Sequence, residues 1–140
     1  MKFSRIALGL GALVVAIQLV PVARTNPPVR SMVPAPPEVA GILRRACFDC
    51  HSNETVWPVQ AYVAPLSWLV AHDVKEGREE LNFSEWGPKA EQKAAKEVPK
   101  EVGKGDMPPF LYVVAHPGTK LTSDEKALLA NWAQGLGSGR

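Results

Sequence analysis

The sequence lacks any alternating apolar and polar run of strand length, any internal repeat and any low-complexity tract. Those absences exclude a sheet-based domain and a repeat array, and they leave an all-α domain with long loops. Cysteine is scarce: Cys47 and Cys50 are the two present, and there is no second pair. A structural zinc site draws four ligands from separated pairs, whereas here Cys50 is followed directly by His51. Acidic residues are missing from the first thirty positions, which hold Lys2, Arg5, Arg24 and Arg30. Those four account for the formal charge of +2, because without them 12 basic residues face 14 acidic ones, a net of −2. No basic stripe is left, which sets aside nucleic acid and an anionic membrane surface as electrostatic partners.

What the chain does have is one long apolar run at its start. Ile6 to Ala23 is apolar apart from Gln18, follows Lys2 and Arg5, and ends near Pro21. That is the layout of an export signal or a single membrane anchor, and it lacks the polar face of a core helix. Pro21 and Ala23 flanking Val22 make a poor A-x-A-like cleavage site, so residues 1–24 read as an uncleaved anchor in preference to a signal peptide. The expected location is the periplasm, with the chain tethered to the inner membrane by this helix or released after cleavage.

Residues 25–37 contain Pro27, Pro28, Pro34, Pro36 and Pro37 and read as an extended, semi-rigid linker. The remaining stretch, 38–140, is one small domain, of a size whose core is often supplemented by a cofactor. From Glu38, Val39, Ile42, Leu43, Ala46 and Cys50 recur at helical steps and predict a first helix ending at the cysteine pair. After a loop from Ser52 to Pro58, Leu66, Leu69, Val70 and Val74 predict a second helix to about Leu81, broken by Asn82 to Pro88. Ala90, Ala94, Ala95, Val98 and Val102 predict a third, which Pro99 should kink or divide and which Gly103 and Gly105 end. The fourth starts where Thr122 can cap it with Glu125 as reciprocal partner. It buries a stripe of Leu128, Leu129, Trp132, Ala133 and Leu136 and frays at Gly135 and Gly137. About four helices of this length leave a core that a flat macrocycle would fill.

Cys47-Phe48-Asp49-Cys50-His51 is C-x-x-C-H, the attachment pattern for c-type haem. Two cysteines three positions apart project their sulfurs to one side, toward the two vinyl groups of the macrocycle, and the adjacent histidine reaches the iron. A thioredoxin-like redox pair would sit at a helix N-terminus among strands. A plain disulfide would leave His51 without a role.

From about Arg24 onward the chain resembles the bacterial haem-binding domain family, small monohaem proteins similar to c-type cytochromes. The matching stretches are Cys47-Phe48-Asp49-Cys50-His51-Ser52-Asn53-Glu54-Thr55, Trp57-Pro58, Gly77-Arg78, Leu81-Asn82-Phe83-Ser84-Glu85-Trp86 and Gly105-Asp106-Met107-Pro108-Pro109. The resemblance implies haem binding. The expected architecture is therefore a small cytochrome c-like all-α domain around one haem c, preceded by the hydrophobic helix and the linker.

A second axial ligand commonly comes from a Met or His far along the chain. Met107 is the leading candidate, in a loop where glycine permits close approach and prolines stiffen the backbone. His116 and His72 compete with it, and Met1 and Met32 are worse placed. The expected activity is electron transfer without conversion of a substrate, with periplasmic or membrane redox partners and the cytochrome c maturation machinery as partners. The rival is a haem sensor or peroxidatic protein with a labile sixth ligand. Trp57, Trp68, Trp86 and Trp132 could wall the pocket or fill the core. Arg78 could pair a haem propionate or be a solvated helix residue near Glu79 and Glu80. Pro58 or a nearby carbonyl could orient His51.

Overall fold

Prolines open two of the main helices, as their fixed φ and missing N–H suit a first turn. In the computed structural model, which describes residues 2–138, these are α2 (Pro37–Ala46) and α5 (Pro88–Lys104). Ahead of them lies α1 (Lys2–Gln18), and the other helices are α3 (Phe48–His51), α4 (Leu66–Glu80), α6 (Phe110–Ala115) and α7 (Ser123–Ser138). Single 3₁₀ turns stand at Val59–Tyr62 and Pro117–Thr119. The described residues are all-α, with more and shorter helices than the four expected. Met1 and the side chain of Lys2, both considered in the sequence, lie outside the described residues.

The first expected helix does not run to the cysteines. It stops at Ala46, where Cys47 takes φ −126° and ψ −32°, and the second cysteine sits on the separate turn α3. The third expected helix, by contrast, is not divided. Pro99 removes one donor, but α5 continues to Lys104, with Ala94 and Val102 buried and Ala95 packed beside Gly137 of α7. Gly105, at φ +85°, then ends α5 in a left-handed conformation that a side chain would strain.

The start of α7 has both halves of the capping box. Thr122 Oγ1 accepts from the Glu125 N–H at 3.2 Å, and Glu125 Oε2 accepts from the Thr122 N–H at 2.9 Å. Leu129 and Ala133 of the expected stripe are fully buried, whereas Leu128 is 40% exposed. Nor does the helix fray at Gly135, since it extends to Ser138.

The core gathers Val39, Leu43, Phe83 and Leu129, each almost fully buried. A row of rings crosses it. Phe48 stacks on Phe83 with centroids 5.6 Å apart, Phe83 meets Trp86 at 6.2 Å, and Trp86 meets Trp132 at 6.3 Å. Phe48 belongs to α3, so this row ties the turn that carries Cys50 and His51 to the far side of the domain.

The apolar N-terminal run is helical as α1, and its apolar side chains from Ile6 to Ala16 are exposed. The helix ends at Gln18, short of Ala23, and no helix among the described residues is long and apolar enough to cross a membrane. Gln18 is fastened to the domain: its Oε1 accepts from the Ala64 N–H at 2.9 Å and its Nε2 donates to the Ala64 carbonyl at 3.3 Å.

The proline-rich stretch is extended but is no free linker. Its backbone N–H groups at Ser31 and Val33 donate to the carbonyls of Ser84 and Phe83, at 3.1 and 2.9 Å, and Ser31 returns a carbonyl to the Trp86 N–H at 2.8 Å. Val33 is buried with the core, so the packed body begins before Glu38.

Candidate functional site

One cavity of about 410 Å³ opens between α3, α4, α5 and the loop before α6. Its size lies within the range of small-molecule and cofactor sites. Leu43, Ala46, Leu81, Phe83, Val102 and Leu129 supply an apolar floor. Cys47, Cys50, His51, Met107 and Tyr112 line the same cavity.

Both cysteines are free thiols. Burial, reinforced by Cys50, pushes the Cys47 thiol up to about 12, and burial followed by Asp73 and Asp49 pushes Cys50 up to about 11. Such thiols stay protonated at neutral pH. A thiol-exchange pair needs the opposite shift, so this environment argues against the thioredoxin-like alternative.

His51 is fixed by backbone alone. Its Nδ1 lies 2.9 Å from the Leu81 carbonyl, which can only accept, so the proton is on Nδ1 and Nε2 keeps its lone pair. Burial lowers the pKa of the ring and keeps it neutral, the form that binds a metal. The orienting carbonyl is thus that of Leu81, not the Pro58 considered from the sequence. The His51 carbonyl is held in turn by the Phe83 N–H at 2.7 Å.

The loop after the motif is tied down by the polar residues that follow it. Ser52 Oγ donates to the Phe48 carbonyl at 2.7 Å, and Thr55 Oγ1 donates to the Asp49 carbonyl at 2.7 Å. Asn53 donates its backbone N–H to Ser84 Oγ at 3.0 Å, and its Oδ1 accepts from Asn82 Nδ2 at 2.8 Å. Arg78 does neither job expected of it. Its guanidinium donates to the carbonyls of Ser52 and Thr25, at 2.7 and 2.8 Å, and to Thr55 Oγ1 and Asn26 Oδ1, at 2.8 and 3.0 Å. It is a clamp between the motif loop and the proline-rich stretch.

Gly77 lets α4 approach the backbone of α3 closely. A Cβ there would stand 2.6 Å from the Cys50 carbonyl oxygen, a backbone atom that cannot swing aside. Gly77→Ala is therefore expected to push α3 off α4, lowering stability by about 1–3 kcal/mol and reducing the haem bound per chain. Denaturant unfolding and pyridine haemochrome content measure the two effects; unchanged values for both would refute the close-approach argument.

Of the candidate distal ligands, Met107 lines the cavity. The turn at Gly105 brings it there: the N–H groups of Asp106 and Met107 both donate to the Glu101 carbonyl, at 3.0 and 3.3 Å. His72 is exposed and lies 3.3 Å from Glu76, while the His116 ring packs tilted against Tyr112 with centroids 4.6 Å apart; neither lines the cavity. Met32 is 36% exposed and lies off the cavity as well. The tryptophans also stand elsewhere. Trp86 and Trp132 pack on the core, Trp57 donates to Asn26 Oδ1 at 3.3 Å, and Trp68 is exposed.

Sequence reasoning passed over Asp49, Tyr112 and Lys93. Lys93 lines the cavity and pairs with Glu80. The position of Asp49 inside C-x-x-C-H was the available signal for the first; nothing local pointed to the other two.

The donor set fits a haem. Two thiols and an imidazole with a committed Nδ1 lie within five consecutive residues, on the wall of an apolar cavity that also holds a thioether. Fold and site together define a small all-α haem protein. The chain belongs to the haem-binding domain family, whose model matches residues 12–135, and it takes haem, with its iron, as cofactor. No curated protein and no solved structure matches the chain.

Proposed function

We propose that the chain is an exported monohaem c-type cytochrome that carries single electrons, with haem joined to Cys47 and Cys50 and its iron ligated by His51 and Met107. The observation that carries this reading is the convergence of two free thiols, an oriented imidazole and a thioether on one apolar cavity. Cys47 and Cys50 would hold the haem by addition of their S–H groups to its two vinyl groups, a change that needs no oxidant. The haem supplies the ferric–ferrous couple.

The chain's own residues set the conditions for that couple. Leu81 fixes the ring plane of His51 and raises its basicity through Nδ1. A Met opposite a His raises the reduction potential relative to two histidines. The apolar floor would surround a bound haem with a low-polarity lining that favours the less charged ferrous state. On this reading the chain is an electron carrier and not an enzyme. The apolar start of the chain supports export to the periplasm, with α1 as anchor or cleaved signal, and the cytochrome c maturation machinery would attach the haem there. Periplasmic or membrane oxidoreductases would be its redox partners.

A second reading has one observation in its favour. Met107 is 37% exposed and sits on a loop, so its bond to iron could be displaced, as in a haem sensor or peroxidatic protein. Ferric absorption separates the two. Electron transfer predicts a sulfur-to-iron charge-transfer band that Met107→Ala abolishes and His116→Ala keeps, with a lower reduction potential in Met107→Ala. A high-spin resting iron without that band would overturn the ligation by Met107.

A further inference from the structure

Tyr112 joins the two walls of the cavity. Its hydroxyl donates to Asp49 Oδ2 at 2.7 Å, across 63 positions of sequence. Asp49 belongs to the attachment motif, and Tyr112 to the stretch that starts with Met107.

The position of Asp49 is fixed. Its other carboxylate oxygen accepts from the Val56 N–H at 3.0 Å, and its carbonyl accepts from Thr55 Oγ1 at 2.7 Å. Helix α6, in contrast, has little to hold it. None of its residues is buried, and Phe110, Leu111 and Val114 are 77%, 66% and 59% exposed. Among the described residues, the Tyr112–Asp49 bond is the side-chain hydrogen bond between the Met107–Ala115 stretch and α3. A bond from a phenol to a carboxylate is of the stronger, charge-assisted kind. Burial and the neighbouring Asp49 raise the phenol pKa well above its ordinary range, so the hydroxyl keeps the proton it donates.

We infer that Tyr112 is a positioning residue: its bond to Asp49 latches the Met107 stretch against the haem-attachment turn and so sets access to the sixth coordination position of the iron. The inference rests on haem occupying this cavity, and it holds whether Met107 is bound to the iron or only covers it. The ring against Tyr112, that of His116, lies one residue past α6 itself, so breaking the bond leaves α6 attached by its chain ends and by the Pro117–Thr119 turn, and the wall opens.

The test uses the full-length, haem-loaded ferric protein and imidazole as an external ligand, with equilibrium titration and stopped-flow association rates. Tyr112→Phe keeps the ring and removes the donor. It is expected to bind imidazole about tenfold more tightly than wild type, with covalent haem content unchanged. Asp49→Asn cannot accept from Tyr112 and Val56 together without turning its amide on one of them, and it should shift affinity in the same direction. The double variant should match the larger single effect and not their product, because both changes break one bond. Imidazole affinity in Tyr112→Phe equal to wild type, or full additivity in the double variant, would overturn the latch. Met107→Ala is run alongside. If it binds imidazole no better than wild type, the ligation by Met107 fails, while a gain in Tyr112→Phe still supports the latch as a closure of the pocket.

Discussion

The Cys47→Ser, Cys50→Ser double variant, produced with the haem-attachment machinery, is expected to show no haem stain on a denaturing gel where wild type stains strongly. Both sulfurs are free and line the cavity, where they would meet the vinyl groups of a bound haem. Serine hydroxyls do not add to vinyl groups. Single variants keep one attachment and should stain more weakly than wild type. The rest of the cavity is unchanged in these variants, so native protein should still take up added haem through His51 and the apolar floor. Colour in the folded state that disappears on denaturation is thus the expected pattern for the double variant. Equal staining of double variant and wild type would remove covalent attachment at these cysteines from the account.

Phe83→Ala is expected to be the most destabilising single truncation in the domain. The ring is 2% exposed, stacks between Phe48 and Trp86, and lies 6.1 Å from the His51 ring. Removing a buried Phe costs about 3–5 kcal/mol, against a total stability of roughly 5–15 kcal/mol for a domain of ordinary size. Its backbone N–H would still reach the His51 carbonyl, so the loss measures packing and not the orienting bond. Urea unfolding, with Leu128→Ala at an exposed position as the comparison, reads the effect. Leu128→Ala should stay within about 0.5 kcal/mol of wild type. A comparable shift in the two variants would mean that the ring row is not the centre of the fold.

The readings that survived the structure were those whose cause is local. Helices α4, α5 and α7 were legible because their apolar residues recur at helical spacing, and the Thr122–Glu125 cap because its two halves sit three residues apart. Haem binding was legible because C-x-x-C-H sets two thiols and an imidazole within five residues. What escaped was carried by backbone groups or by distant partners. The carbonyls of Leu81, Ser84 and Phe83 orient His51 and pin the proline-rich stretch, yet a carbonyl has no signature in a sequence. Arg78 sits beside Glu79 and Glu80, but its partners come from Thr25, Asn26, Ser52 and Thr55. The break at Cys47 interrupts an apolar pattern that continues straight through it. Four tryptophans could be counted in advance; that two would pack on the core and none would face the cavity depended on tertiary placement.

The fastening of Gln18 to Ala64, Arg24 to the Ala61 carbonyl and Arg78 to Thr25 leaves no slack between α1 and the body of the protein. A leash lets its load tumble and present any side to a visitor, whereas a bracket does not. On the proposed role of α1 as an anchor, it would also fix the compass bearing of the cavity mouth, and a visitor would come from the direction that the bracket allows.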